Sequence, residues 1–408
     1  MKYGLIGEKL SHSFSKIIHE KIADYTYELK EISKENLDSF MRAKDFCSIN
    51  VTIPYKETVI PYLDYIDPFA EKIGAVNTIV NSGGKLHGYN TDFLGMKLMI
   101  ERNSFDLGGK KVLILGSGGT AKTSRAVAEH LGAREIITVS RSGEVNYDNV
   151  LSLHSDADFI INTTPCGMYP NNDTFAIEPA SFHSLKGIID AVYNPLKTTL
   201  IQKAEDVGVR GITGLYMLVA QAVIAYEKFT GESIDTEKIT DKVYGEILRE
   251  KQNIVLIGMP GSGKSTAGRL LAESLGRDLV DTDDVITNKH GAISDIFTRY
   301  GESYFRDIES EAVKETAKQS GIIIATGGGV ILREENVRAL KQNGVIFFLN
   351  RPLDDIMPTA DRPLSSDRES LRKRFNERYD KYKSACDFEI ISDNTAEDTV
   401  GKIKEYLL

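Results

Sequence analysis

The sequence predicts an α/β protein of two consecutive units with mainly parallel sheets, and three observations predict it. At Ile254-Val255-Leu256-Ile257 four apolar residues read as a buried strand, followed by a glycine-rich loop, Gly258 to Lys264, and a helix from Ser265. At Lys111-Val112-Leu113-Ile114-Leu115 a second buried strand runs into Gly116-Ser117-Gly118-Gly119-Thr120-Ala121 and a helix reaching Leu131. Elsewhere short apolar runs alternate with amphipathic stretches. At 408 residues the chain exceeds one ordinary core, so the loop near residue 254 divides it into units 1–250 and 251–408.

Composition narrows the partners. A formal net charge of −9 argues against nucleic acid or an anionic membrane, leaving small molecules. The local basic cluster Arg372, Lys373, Arg374 and Arg378 suits a phosphate site or a solvated helix face as well as any polymer contact. Three cysteines (Cys47, Cys166, Cys386) without a CxxC fit the reduced thiols of a cytosol. No N-terminal signal pattern or long apolar run appears, so a soluble, cytoplasmic, two-part enzyme is expected.

Taken in order, Val51, Ile53, Val76, Ile79 and Val80 favour strands in residues 1–100, and Lys16–Tyr25 has helical spacing. The pattern from Gly116 to Ala121 is G-x-G-x-x-A between a strand and a helix, the setting of a Rossmann-type dinucleotide site. The next strand, Ile136-Ile137-Thr138-Val139, leads to Ser140-Arg141-Ser142, where an acid would grip a ribose 2′-hydroxyl. Arg141 suits a 2′-phosphate instead, favouring NADP over NAD; the competing reading is a surface arginine at a strand end. Strands recur at Phe159–Asn162 and Ile188–Val192, helices at Gly214–Phe229 and Thr236–Arg249, and Lys251-Gln252 leads into the last unit without a linker.

That unit opens with G-x-x-x-x-G-K-[ST], a P-loop. The backbone N–H groups of Gly261, Ser262 and Gly263 turn towards an anion, and Lys264 reaches the outer phosphates of ATP. The Ser265 hydroxyl, beside Thr266, ligates Mg²⁺.

Several separated blocks of the first unit resemble shikimate dehydrogenases. They are Ser11-His12-Ser13-Phe14-Ser15, Asn50 to Lys56, Gly74 to Thr78, Gly88 to Asp92, Asn162 to Pro165, Asp190 to Tyr193, and Gly214 to Gln221. The resemblance implies a substrate lobe (about 1–100 and 214–250) and an NADP lobe (about 101–213). It implies that Ser13 and Ser15 hold a substrate carboxylate, that Thr52, Asn77 and Gln221 meet its hydroxyls, that Tyr193 borders the site, and that Gly214 belongs to the cofactor site. Lys56 and Asp92 would form the catalytic pair, the lysine donating or stabilising while the aspartate orients it. Asp92 could equally cap the helix beginning at Phe93. Two positions depart from the family's NADP segment: Ser140 replaces an asparagine, and Val145 stands where a second arginine falls.

The second unit resembles shikimate kinases in Asp281-Thr282-Asp283, Phe305-Arg306 with Glu309, Thr326 to Val330, Arg362-Pro363-Leu364, and Arg378 with Tyr382. This implies that Asp281 reaches the metal through water, Asp283 takes or orients the substrate hydroxyl proton, and Arg306 and Arg378 clamp a carboxylate. Gly327, Gly328 and Gly329 would approach the ring hydroxyls, and Arg362 would neutralise the transferring phosphoryl group. One of the two aspartates could instead cap the helix near Asp284. In the lid, Pro358 to Asp361 precede Arg362 and an upstream arginine common in the family is missing. The expectation is a fusion that reduces 3-dehydroshikimate and phosphorylates shikimate. Its rivals are a quinate-directed dehydrogenase joined to another small-molecule kinase, and a fusion with inactive sites.

Overall fold

The computed structural model describes residues 1–10, 13–356 and 368–407. The chain divides into two compact units, Met1–Ile247 and Leu248–Leu408. The boundary falls inside the helix Thr236–Lys251.

The first sheet of the first unit holds β1 (Tyr3–Gly7), β2 (Tyr27–Glu31), β3 (Ser48–Val51), β4 (Tyr65–Ile66), β5 (Thr78–Ser82) and β6 (Lys85–Tyr89), in the order β2-β1-β3-β5-β6-β4. It is mixed: β1 runs parallel to β2 and β3, whereas β5 is antiparallel to β3 and β6. The cause is local. Gly83 and Gly84, both at positive φ, form the two-residue connection that a tight hairpin demands.

Two residues expected in strands are not in them. Ile53 lies in a turn closed by Tyr55 N donating to Thr52 O at 2.9 Å, and is 73% exposed. Val76 is fully buried in an irregular segment, its N–H donating to Lys56 O at 2.8 Å. Strand propensity yields here to a backbone that must turn Lys56 out of the sheet. The helix expected over Lys16–Tyr25 runs Ser15–Ile22, and Tyr25 leaves it to pack edge-on against Tyr3.

The second sheet is wholly parallel: β7 (Lys111–Leu115), β8 (Glu135–Val139), β9 (Phe159–Asn162), β10 (Gly187–Asp190) and β11 (Arg210–Thr213), ordered β11-β10-β9-β7-β8. Leu113, Ile114, Ile160, Ile161, Ile188 and Ile189 are fully buried, as expected of strands covered on both faces. Strand order reverses beside β7, which opens a crevice at the end of that strand.

The helix Leu215–Thr230 then returns to the first sheet. It packs on the helix Thr91–Arg102, and its Ala225 and Phe229 cover Leu5, Leu10 and Tyr27. Gly95 permits the contact, since a Cβ there would stand 2.9 Å from Met217 O and 3.0 Å from Gln221 N.

The second unit is one parallel sheet of β12 (Asn253–Ile257), β13 (Leu279–Asp281), β14 (Ile323–Ala325), β15 (Gly344–Asn350) and β16 (Phe388–Ile391), ordered β13-β14-β12-β15-β16. Alternate residues of β12 and β15 serve opposite cores. Val255, Ile257 and Phe348 pack with Leu340 and Tyr382, while Leu256 and Phe347 pack with Leu271 and Ile403. Each such side chain contributes roughly 1.5–3 kcal/mol on burial. Among the described residues no helix is long and apolar enough to cross a membrane.

Candidate active sites

In the first unit, the turn after β3 presents Lys56, whose Nζ donates to Asp92 Oδ2 at 2.6 Å. Both side chains are largely buried, with 16% and 10% exposure. The helix Thr91–Arg102 is capped by Asn90, whose Oδ1 accepts from Phe93 N at 3.1 Å. Asp92 is therefore not the cap, which leaves its carboxylate to the lysine.

Behind this pair Asn77 Oδ1 accepts from Thr91 N at 2.7 Å, and its Nδ2 donates to Thr91 Oγ1 at 3.0 Å. Thr91 Oγ1 also reaches Gln221 Oε1 at 3.4 Å. The structure thus gathers Lys56, Asn77, Asp92 and Gln221 around the start of one helix. The stem of Lys56 passes 3.7 Å from the Cβ position of Gly119, at the mouth of the glycine loop.

Ser15 N donates to Ser13 Oγ at 3.2 Å, and Ser15 is buried at the head of its helix. Between the serines, Phe14 packs on Tyr193 with ring centroids 5.4 Å apart. Burial raises the phenol pKa of Tyr193. Ser11 and His12 lie outside the described residues. Thr52 is tied to the neighbouring strand, its N–H donating to Ile6 O at 3.0 Å.

In the nucleotide lobe Gly116 adopts φ +109°, and a Cβ there would stand 2.7 Å from Thr163 Oγ1. Gly118 caps the helix Gly119–His130, with open space where its side chain would be. Ser117 is exposed there, and Thr120 and Ala121 lie in the first turn. A helix start with open space beside its capping glycine fits a pyrophosphate. Ser140 follows β8, its N–H donating to Val145 O at 3.2 Å, and Arg141 and Ser142 are exposed or nearly so. Gly214 abuts the Ala191 carbonyl, which leaves no room for a side chain.

At the end of β10, Asp190 is fully buried and accepts from Thr198 Oγ1 at 2.7 Å, Asn162 Nδ2 at 2.9 Å and Val192 N at 3.0 Å. Burial pushes its pKa up to about 6 against these hydrogen bonds.

In the second unit the glycine loop, the β13 end, the glycine triplet and two helices enclose a cavity of about 540 Å³. Lys264 is buried and donates to the carbonyls of Gly258 and Met259, each at 3.0 Å. Gly261, Gly263, Ser265 and Thr266 line the cavity, and Ser262 is buried. Ser265 Oγ donates to Asp281 Oδ2 at 2.6 Å, while Asp281 Oδ1 accepts from Asp283 N at 3.0 Å and caps the helix Thr282–His290. Asp281 is therefore the aspartate that caps this helix, and its other oxygen pairs with the loop serine.

The described residues hold no cluster of three His, Cys, Asp or Glu suited to a metal. A hydroxyl and one carboxylate do fit Mg²⁺, which keeps waters and phosphate oxygens as most of its ligands. Burial first, then the Asp281 carboxylate, push the Asp283 pKa up to about 6.

Each glycine of the triplet is pressed against a different part of the site. A Cβ on Gly327 would meet Asp283 Oδ1 at 2.6 Å and Glu309 Oε1 at 3.0 Å, and one on Gly328 would meet Pro260 Cδ at 2.6 Å. One on Gly329 would overlap the Arg306 guanidinium. Arg306 donates to Glu309 Oε2 at 2.7 Å and Glu302 Oε1 at 3.0 Å, while Arg378 Nη1 and Tyr382 Oη donate to Gly328 O at 2.9 and 2.5 Å. Burial holds the Glu309 carboxyl pKa up despite Arg306.

Arg362 lies outside the described residues. The cavity also receives Arg351 and Phe297, which sequence reasoning did not single out, and Arg374, which it named only within a basic cluster. Arg374 stands four residues before Arg378, a spacing that puts both on one helix face and was a usable signal. Arg351 carries no comparable mark.

Family models match three stretches: "Shikimate dehydrogenase substrate binding domain" at residues 5–79, "Shikimate 5'-dehydrogenase C-terminal domain" at 214–244, and "Shikimate kinase" at 260–408. The shikimate dehydrogenase (NADP(+)) of Clostridium perfringens (strain SM101 / Type A) is 38% identical over 266 residues, covering 60% of this chain and 97% of that protein. The crystal structure of shikimate dehydrogenase 1 from Peptoclostridium difficile superposes with a TM-score of 0.57 at 35% identity, covering 60% of this chain and 98% of that one. A chorismate mutase/shikimate 5-dehydrogenase fusion protein from Clostridium acetobutylicum gives 0.57 at 36% identity, covering 61% and 97%.

Proposed function

Because the chain belongs to the shikimate dehydrogenase family over its first unit and carries a shikimate kinase domain in its second, it is a bifunctional enzyme of the shikimate pathway, and we propose that it reduces 3-dehydroshikimate with NADPH and phosphorylates the resulting shikimate with ATP and Mg²⁺. The observation that carries the reduction is the 2.6 Å Lys56–Asp92 pair with the lysine stem against Gly119. NADPH supplies the hydride. Lys56 delivers the proton to the oxygen that becomes a hydroxyl, and Asp92 holds the ammonium in line. Ser13 and Ser15 bind the substrate carboxylate, and Thr52, Asn77 and Gln221 bind its hydroxyls. Tyr193 closes one wall, and Arg141 pairs with the 2′-phosphate.

In the second unit Lys264 binds the outer phosphates, and Ser265, with Asp281 through water, would hold Mg²⁺, which would neutralise phosphate charge. Asp283, half-buried and with its pKa pushed up to about 6, accepts the proton of the attacking hydroxyl. Arg306 and Arg378 clamp the substrate carboxylate, Gly327 to Gly329 bring backbone against the ring, and Arg362 neutralises charge on the transferring group. Support for this arrangement comes from the convergence of loop, aspartates, triplet and arginines on one cavity.

The test supplies 3-dehydroshikimate, NADPH and Mg-ATP together and follows NADPH loss and shikimate 3-phosphate. Both should change, the second after the first. NADPH loss without phosphorylated product, or no NADPH loss at all, would refute the reading.

A further inference from the structure

Arg351 lies outside every motif described above. It follows β15, whose Phe347, Phe348 and Leu349 are fully buried and which pairs with β12, the strand feeding the phosphate loop. Loop and strand are close, since a Cβ on Gly258 would stand 2.7 Å from Leu349 O. Just beyond, Arg351 Nη1 comes within 3.9 Å of the Cβ position of Gly263, the residue before Lys264, and lines the same cavity. Its Nε is buried without a hydrogen-bond partner, and among the described residues no ion pair engages the guanidinium. A buried N–H left unpaired is costly, and the planar guanidinium fork matches phosphate oxygens.

We propose that Arg351 is a nucleotide-binding residue whose guanidinium donates to phosphate oxygens of an adenine nucleotide held by the Gly258–Lys264 loop. This rests on the kinase reading of the second unit. The strand end fixes Arg351 beside the loop before any ligand arrives, so it should grip ADP as well as ATP.

The experiment uses the full chain and its Arg351→Met and Arg351→Lys variants, with Mg-ADP titrated by calorimetry and KM measured for ATP and shikimate. Arg351→Met should weaken ADP and raise the ATP KM about 10- to 150-fold, the scale of one charge-assisted hydrogen bond. It should leave the shikimate KM within about 2-fold and the dehydrogenase rate unchanged. Arg351→Lys keeps the charge without the fork and should fall between. Equal ADP affinity in wild type and Arg351→Met overturns the assignment while leaving the kinase reading intact, as does a loss confined to shikimate. A wild-type chain that binds no ADP overturns the kinase reading itself. Should thermal melting find Arg351→Met unfolded, Arg351→Lys decides: an ADP loss of about 5-fold or more supports the assignment, and none overturns it.

Discussion

Asp283 Oδ1 stands 2.6 Å from the point where a side chain on Gly327 would begin. The second carboxylate there, Glu309 Oε1, is 3.0 Å from the same point. The glycine is thus a packing requirement of the Asp283 carboxylate, independent of any special backbone angle. Gly327→Ala should push Asp283 out of line and lower the kinase kcat about 10²-fold, the usual cost of a misplacement near 1 Å. Steady-state assays of both activities check it. An unchanged kinase rate would mean that the carboxylates yield freely.

The two activities should separate by point mutation. Lys56→Ala is expected to cut the dehydrogenase about 10²–10⁴-fold and spare the kinase. Lys264→Ala should do the reverse. Both rates measured on one preparation decide it, and loss of both from either change in a folded protein contradicts two independent sites.

Arg141→Ala should weaken NADP about 10- to 150-fold and NAD hardly at all, because only NADP carries the 2′-phosphate. Dissociation constants for both cofactors test this. Equal losses would return Arg141 to the status of a surface arginine.

Asp190 gives a stability signature. Its folded pKa of about 6 exceeds the ordinary 3.8, so between about pH 4 and pH 6 the folded state binds the extra proton. Stability from this group is therefore greatest below about pH 4 and falls as pH rises to about 6, by at most about 3 kcal/mol. Urea midpoints of the first unit, wild type against Asp190→Asn, should shift against the wild type over that window and stay level above it. A difference constant with pH contradicts the buried ionisation.

Strands fully covered on both faces were legible because they are continuous apolar runs: β7, β9 and β12 begin and end within a residue of expectation. The mixed character of the first sheet was less legible. Ile53 and Val76 have strand chemistry, but a turn and an irregular segment claim them to present Lys56 and Asn77. Capping was ambiguous at Asn90–Asp92, since either side chain can accept an N–H, and the pairing of Asp92 with Lys56 decides between them. Arg351 was invisible because a single basic residue after a strand reads as surface. Its meaning depends on β15 lying beside β12, a pairing between segments about 90 residues apart.

The return of the helix Leu215–Thr230 to the first sheet has a consequence for synthesis on the ribosome. Leu5, Leu10 and Tyr27 emerge early, yet their cover, Ala225 and Phe229, is translated only after the whole nucleotide lobe. The amino-terminal lobe must therefore wait, partly uncovered, while β7 to β11 can already close on one another. A chain ending before residue 215 would carry a finished parallel sheet attached to an apolar surface that lacks the cover of Ala225 and Phe229, the kind of species that chaperones hold and proteases remove.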